Sequence, residues 1–133
     1  MRNEQAMVDE FHRKFSILAR STPADLNEET KRLRVRLIEE EFGELKESMV
    51  GGDLAAVAKE MADLLYVVYG TAVSYGIDMD PVFREVHRSN MSKVGGYKRE
   101  DGKWVKPATY SPARIEPILA EQGPVQRAVR TGS

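Results

Sequence analysis

The 133-residue chain is expected to be all-α: an antiparallel bundle of about four helices, then a short hairpin or loop-rich C-terminal tail. Three observations lead there. Apolar residues recur at the three- and four-residue intervals of a helix face. The stretches carrying that period are punctuated by helix stops and starts, among them Ser21-Thr22-Pro23, Gly51-Gly52 and Asp80-Pro81. The length suits one core and not two. We therefore assign residues 1–112 to a single helical domain and 113–133 to a partly disordered tail.

The first helix is expected from about Glu4 to Ala19, with Met7, Phe11, Phe15 and Leu18 on one face. A second starts near Asn27, an N-cap followed by Glu28 and Glu29 where the helix dipole favours acids. It carries Leu33, Leu37, Phe42, Leu45 and Met49 before Gly51-Gly52 stops it. Asp53 caps a third helix running to about Tyr75, with Gly76 suited to a left-handed C-terminal position. Asp80-Pro81 reads as N-cap and first position of a fourth, through about Met91. Beyond it, Asp101-Gly102 favours a two-residue hairpin turn with positive φ at both positions. Three prolines between Ser111 and Pro124 limit the tail to short helical turns.

Composition excludes several function classes. There is no cysteine, hence no disulfide, thiolate nucleophile or Cys-ligated zinc, and a cytoplasmic protein is expected. A net charge of −1 gives no field to recruit a nucleic-acid polymer or an anionic membrane. Leu64–Val68 is too short to span a bilayer, and the acid-bearing start MRNEQAMVDE does not read as a secretory signal. Charge is nonetheless segregated. Glu28–Glu47 holds seven carboxylates against five basic residues, and Arg84–Lys106 seven basic against three acidic. That order suits a metal–phosphate ligand, although two solvated faces would look the same.

The third helix is the most informative. Ten of the thirteen residues from Met61 to Val73 are apolar or tyrosine, and they point in every direction. A helix apolar all round is buried all round. Four helices cannot easily cover it, so a second copy is expected to, as a homodimer or dimer of dimers. Asp63 sits within this apolar run, one turn after Glu60. A carboxylate there must be paired, protonated or metal-bound. The second helix offers Glu40, Glu41 and Glu44 within an arc of about 100°, with Glu39 outside it. Joined by a short Gly-Gly turn, the two helices should be antiparallel neighbours, bringing Glu40, Glu41, Glu44, Glu60 and Asp63 to one groove. Hard, oxygen-preferring Mg²⁺ is the natural counterion, with Mn²⁺ as a substitute. The competing reading is a set of solvated glutamates paired to bases such as Arg36 and Lys46. We accept it for Glu39 and Glu47. Gly43, inside the second helix, fits either close approach by a ligand or mere tolerance. His12 and His87 do not form the repeated Glu-x-x-His of di-iron bundles, and no GxxxxGK phosphate loop is present.

The pattern Glu40-Glu41-x-x-Glu44 followed by Glu60-x-x-Asp63 resembles the two-part acidic signature of the all-α NTP pyrophosphatase superfamily. Phe11-His12, Asp63 to Val67, Glu85-Val86-His87-Arg88-x-Asn90-x-Ser92-Lys93 and Asp101-Gly102-Lys103 are similar to its MazG-like, dimeric-dUTPase-related branch. The resemblance covers about residues 5–112 and implies Mg²⁺-dependent cleavage of a nucleoside triphosphate to monophosphate and pyrophosphate. By it, Glu40, Glu41, Glu44, Glu60 and Asp63 are Mg²⁺ ligands, and Glu41 is also the catalytic residue acting on the attacking water. Asn90, Lys93 and Lys103 are implied to bind substrate. Lys98, Arg99 and Lys106 join Lys103 in a basic flap over the phosphates, while Trp104 packs on the bundle. dUTP leads as substrate among the (d)NTPs, with nucleotide-pool housekeeping as the role. Phosphoribosyl-ATP pyrophosphohydrolase stands second, because the tail after Lys93 looks less like that branch. A non-catalytic helical dimer serving as an interaction module is the alternative from another class.

Overall fold

The computed structural model describes residues 3–123. It contains four long helices, α1 (Asn3–Lys14), α2 (Glu28–Gly51), α3 (Leu54–Tyr75) and α4 (Met79–Met91). A two-stranded antiparallel ribbon follows, β1 (Tyr97–Lys98) and β2 (Trp104–Val105), then a short α5 (Glu116–Glu121). The expected all-α class is therefore met, with the ribbon and a loop-rich segment at the end. No helix among the described residues is long and apolar enough to cross a membrane.

Helices α2 and α3 form the central antiparallel pair, and α1 packs on α3. The cap residues act as their chemistry dictates. Asn27 Oδ1 accepts from Thr30 N at 2.8 Å, and Asp53 Oδ1 accepts from Ala55 N at 3.0 Å. Gly52 ends α2 with a φ of 78°, leaving a turn too short for anything but a helical hairpin. The register is readable from polar contacts. Near the hairpin Glu41 and Glu44 of α2 face Glu60 and Asp63 of α3. At the far end, Arg34 of α2 bonds Thr71 and Val67 of α3.

Two boundaries depart from expectation. Helix α1 ends at Lys14 rather than Ala19, because the chain swings through a left-handed Ser16 (φ 58°) and Ile17 N donates back to His12 O. Phe15 and Leu18 kept the helical spacing without being helical. The freed segment crosses the C-terminal end of α3, where Arg20 N donates to Val73 O and Ala24 N to Tyr75 O. These bonds tie the segment to the last turn of α3, where Val73 O also accepts from Gly76 N. Here the core is tightest, with Pro23, Leu26 and Ser74 fully buried beside Val73 and Ala24. A side chain at Gly76 would meet Thr22 O at 2.1 Å, and its φ is 74°, so glycine is required twice over. The second departure is at α4. Its cap is Asp78, whose side chain accepts from Asp80 N, and Pro81 sits in the first turn, where its missing N–H costs nothing. Asp80 pairs instead with Arg84.

The hairpin also differs in detail. Only Gly102 takes positive φ (87°), and Gly102 N closes the turn on Arg99 O, with Arg99 N donating to Lys103 O. That longer loop replaces the two-residue turn because Asp101 uses its carboxylate locally, accepting from Lys103 N and from Arg99.

After β2 the chain runs back along α4 as a strap. Trp104 Nε1 donates to Lys93 O, Ser111 N to Ser92 Oγ, Arg88 to Pro112 O, and Arg114 N to Glu85. Gln122 closes the strap, exchanging two hydrogen bonds with the Asp78 backbone while Gln5 of α1 bonds the flanking Ile77 O and Met79 N. Residues 113–123 of the expected loose tail are thus anchored, and 124–133 lie outside the described residues. Glu85 is the strap's electrostatic pin. Two bonds from Arg88, then the Arg114 N–H, hold its carboxyl down from the ordinary 4.5 to about 2. A carboxyl depressed by folding contributes stability above its unfolded pKa and loses it as pH falls through the folded value. Glu85→Gln should therefore lower the melting temperature at pH 7. The gap from wild type should close between pH 4.5 and about 2 in thermal melts.

Candidate metal centre

Four of the five expected carboxylates converge. One oxygen each from Glu41, Glu44, Glu60 and Asp63 lies within 4.8 Å of the others. The pairing follows from helix geometry: Glu41 and Glu44 are one turn apart on α2, Glu60 and Asp63 one turn apart on α3, and the hairpin brings the two faces together. Glu40, at the outer edge of the same arc, is exposed and stands outside the quartet. Glu39 and Glu47 are exposed as well.

Four acidic side chains share this groove, and Lys59 is the base the structure pairs with them. Burial and the neighbouring Glu44 carboxyl push the Glu60 pKa up, with Lys59 opposing. Glu41 Oε2 and Glu60 Oε2 are shielded from solvent and have no hydrogen-bond partner. Orphaned buried carboxylate oxygens are costly unless something binds them. An all-oxygen donor set with two such atoms fits a hard divalent cation. Asp63 points into the quartet and not toward an arginine. Its partner is Lys59, Nζ to Oδ2 at 2.6 Å.

A second polar cluster lies at the opposite end of the α2–α3 pair. Arg34 is 5% exposed and donates to Thr71 Oγ1 and Val67 O at 3.1 and 2.9 Å, its pKa lowered by burial. His12 is 2% exposed, and its Nδ1 donates to Leu18 O, leaving Nε2 as the acceptor. Burial holds its pKa below the ordinary imidazole range. Both side chains lie over Gly70, where a Cβ would sit 2.4 Å from Arg34 Nη2 and 2.9 Å from His12 Nε2. Sequence reasoning missed Arg34 and Gly70. The signal was present as a glycine inside an otherwise apolar helix, with a threonine beside it. Gly43, which the sequence flagged, has nothing near it.

A family model described as phosphoribosyl-ATP pyrophosphohydrolase matches residues 8–90, which include the whole quartet. The chain belongs to this family. With it comes membership of the MazG-like, all-α NTP pyrophosphatase superfamily, as the acidic signature implied. The matching description is that of the reading placed second by sequence. An uncharacterised protein of Acanthamoeba polyphaga mimivirus is 39% identical over 82 residues, 59% of this chain. The chain spans about a third of that relative's length.

The family match ends at Asn90, where the expected substrate-binding residues begin. Asn90 is exposed in the last turn of α4, its carbonyl accepting from Lys93 N. Asn90 and Lys93 line a shallow cavity with Met91, Val94 and Trp104. Lys103 is exposed on the hairpin. The cavity that Asn90 and Lys93 line includes none of the four quartet carboxylates. Lys93 and Lys106 lie over the Tyr110 ring, at 5.7 and 4.8 Å, and Arg99 pairs with Asp101. Trp104 packs on the turn after α4, as expected of a hairpin aromatic. His87 is exposed.

Proposed function

We propose that this chain is a divalent-metal-dependent nucleoside triphosphate pyrophosphohydrolase, working with Mg²⁺ and accepting Mn²⁺. Its role on this reading is nucleotide-pool housekeeping in the cytoplasm, with dUTP or another (d)NTP as substrate. One observation carries the reading: four carboxylates with two orphaned, shielded oxygens meet in one groove, in a family described by pyrophosphate hydrolysis of a nucleotide. A divalent ion bound there supplies charge neutralisation for the polyphosphate and acidifies a water.

Glu41, Glu44, Glu60 and Asp63 would hold the ion, with Glu40 as an outer ligand. Glu41, whose Oε2 has no partner, accepts the proton of the attacking water. The water oxygen bonds to the α- or β-phosphorus, the α–β anhydride bond breaks, and the group across it leaves with the electron pair, giving monophosphate and pyrophosphate. Lys93 and Lys103 meet phosphate as point charges and Asn90 a base or sugar.

The phosphoribosyl-ATP reading is favoured by one observation, the description of the matched family. A panel of canonical and noncanonical (d)NTPs plus phosphoribosyl-ATP, with Mg²⁺ or Mn²⁺ and read out by pyrophosphate, tests both. Release from a (d)NTP supports the first reading, and release from phosphoribosyl-ATP alone supports the second. Metal-independent silence across the panel favours the non-catalytic module.

A homodimer or dimer of dimers completes the proposal. Within one chain α3 leaves Met61, Leu65 and Val68 between 42 and 58% exposed, and α4 leaves Phe83 70% exposed beside them. Apolar surface of this extent around a central helix is matched by a second copy of the same surface. Leu65→Glu should shift the species measured by light scattering from dimer or larger to monomer. Unchanged mass would remove this face from the interface.

A further inference from the structure

Lys59 is placed oddly for a surface lysine. Its ammonium lies 2.6 Å from Asp63 Oδ2 and 3.8 Å from Glu60 Oε1, yet its side chain is 68% exposed and nothing else holds it. Asp63 follows Lys59 by one turn, and the base-before-acid order is the weaker one on a helix. Helix geometry places the two side chains within reach, with the weaker of the two orders. The field of four crowded carboxylates adds to that contact, because Lys59 is the cation that the structure pairs with them.

We propose that Lys59 is a tethered counterion at the Asp63 edge of the quartet, so that a divalent cation loading there competes with its ammonium for Asp63 Oδ2. This inference rests on the metal reading above. The exchange is open physically. The lysine stem is long, flexible and solvated, so the head group leaves without disturbing the core. Four carboxylates outnumber one ammonium, so a doubly charged ion still displaces it. Lys59 then does two opposed things. It relieves carboxylate repulsion in the metal-free protein and weakens binding of the ion. A residue that merely braced the helix would move stability and metal affinity in the same direction. A counterion moves them in opposite directions.

The test is calorimetric titration of the full chain with MnCl₂ alone, paired with melts in chelator, for wild type, Lys59→Met and Lys59→Arg. Lys59→Met should bind Mn²⁺ about 3- to 10-fold more tightly, the range expected from removing one charge close to a divalent ion. Its metal-free melting temperature should fall. Lys59→Arg should restore wild-type affinity. Saturable wild-type binding with equal or weaker binding by Lys59→Met overturns the counterion role and leaves the metal reading intact. No saturable binding by wild type overturns both. Lys59→Gln repeats the comparison with a polar side chain, should the methionine variant fold poorly.

Discussion

Glu60→Gln and Asp63→Asn should each lower pyrophosphate release by at least about 100-fold, the low end of what a positioned catalytic group contributes. Both changes preserve shape and remove charge, so the loss reports the carboxylate and not the packing. A second readout moves the other way for Glu60. Its pKa is raised by burial and by Glu44, so its charged form is disfavoured in the fold at neutral pH. An uncharged glutamine relieves that, and the metal-free melting temperature of Glu60→Gln should rise above wild type. Added Mg²⁺ should stabilise the wild type increasingly with ion concentration, and that stabilisation should be lost in Glu60→Gln. Activity down with stability up is the signature of a site kept strained for function. Release that survives both substitutions would remove the quartet from the chemistry.

The second large effect is structural. Gly70→Ala should destabilise the fold by about 1–3 kcal/mol, the range for over-packing, measured by denaturant midpoint. The added methyl would sit on Arg34 Nη2 and His12 Nε2, both of them buried. Neither can simply turn away. Arg34 would give up Thr71 Oγ1 and Val67 O, and His12 would give up Leu18 O. Each broken bond leaves a buried polar group unsatisfied. Gly43→Ala is the control, since nothing lies within 4 Å of its Cβ position and alanine is the better helix former. It should leave the midpoint unchanged or raise it slightly.

The four helices were readable because each signal was local. Asn27, Asp53, Gly52 and Gly76 are residues whose own chemistry starts or stops a helix, and all four act as caps or stops in the structure. Phe15 and Leu18 show the limit of that reasoning. Their spacing continued a helix, but the chain turns instead to bond an adjacent element: Arg20 N and Ala24 N donate to the terminal carbonyls of α3, some 50 residues away in sequence. The strap on α4 was hidden for the same reason, since Arg88, Glu85 and Gln122 have no local pattern announcing their distant partners.

The carboxylate groove was predictable from spacing and a short turn alone. Periodicity could not rank the members of a helix face, so Glu40 could be told from Glu41 and Glu44 only once the facing helix was in place. Likewise Arg34 reads as one more base in a charged stretch, and its burial depends on α1 and α3 closing over it. Asn90, Lys93 and Lys103 came from resemblance and not from spacing.

Crystals soaked in MnCl₂ and measured at the manganese edge test the central claim most directly. Anomalous density should appear among Glu41, Glu44, Glu60 and Asp63, with Lys59 swung out to solvent. Density elsewhere, or an empty quartet with Lys59 still bound to Asp63 under saturating Mn²⁺, would contradict that claim.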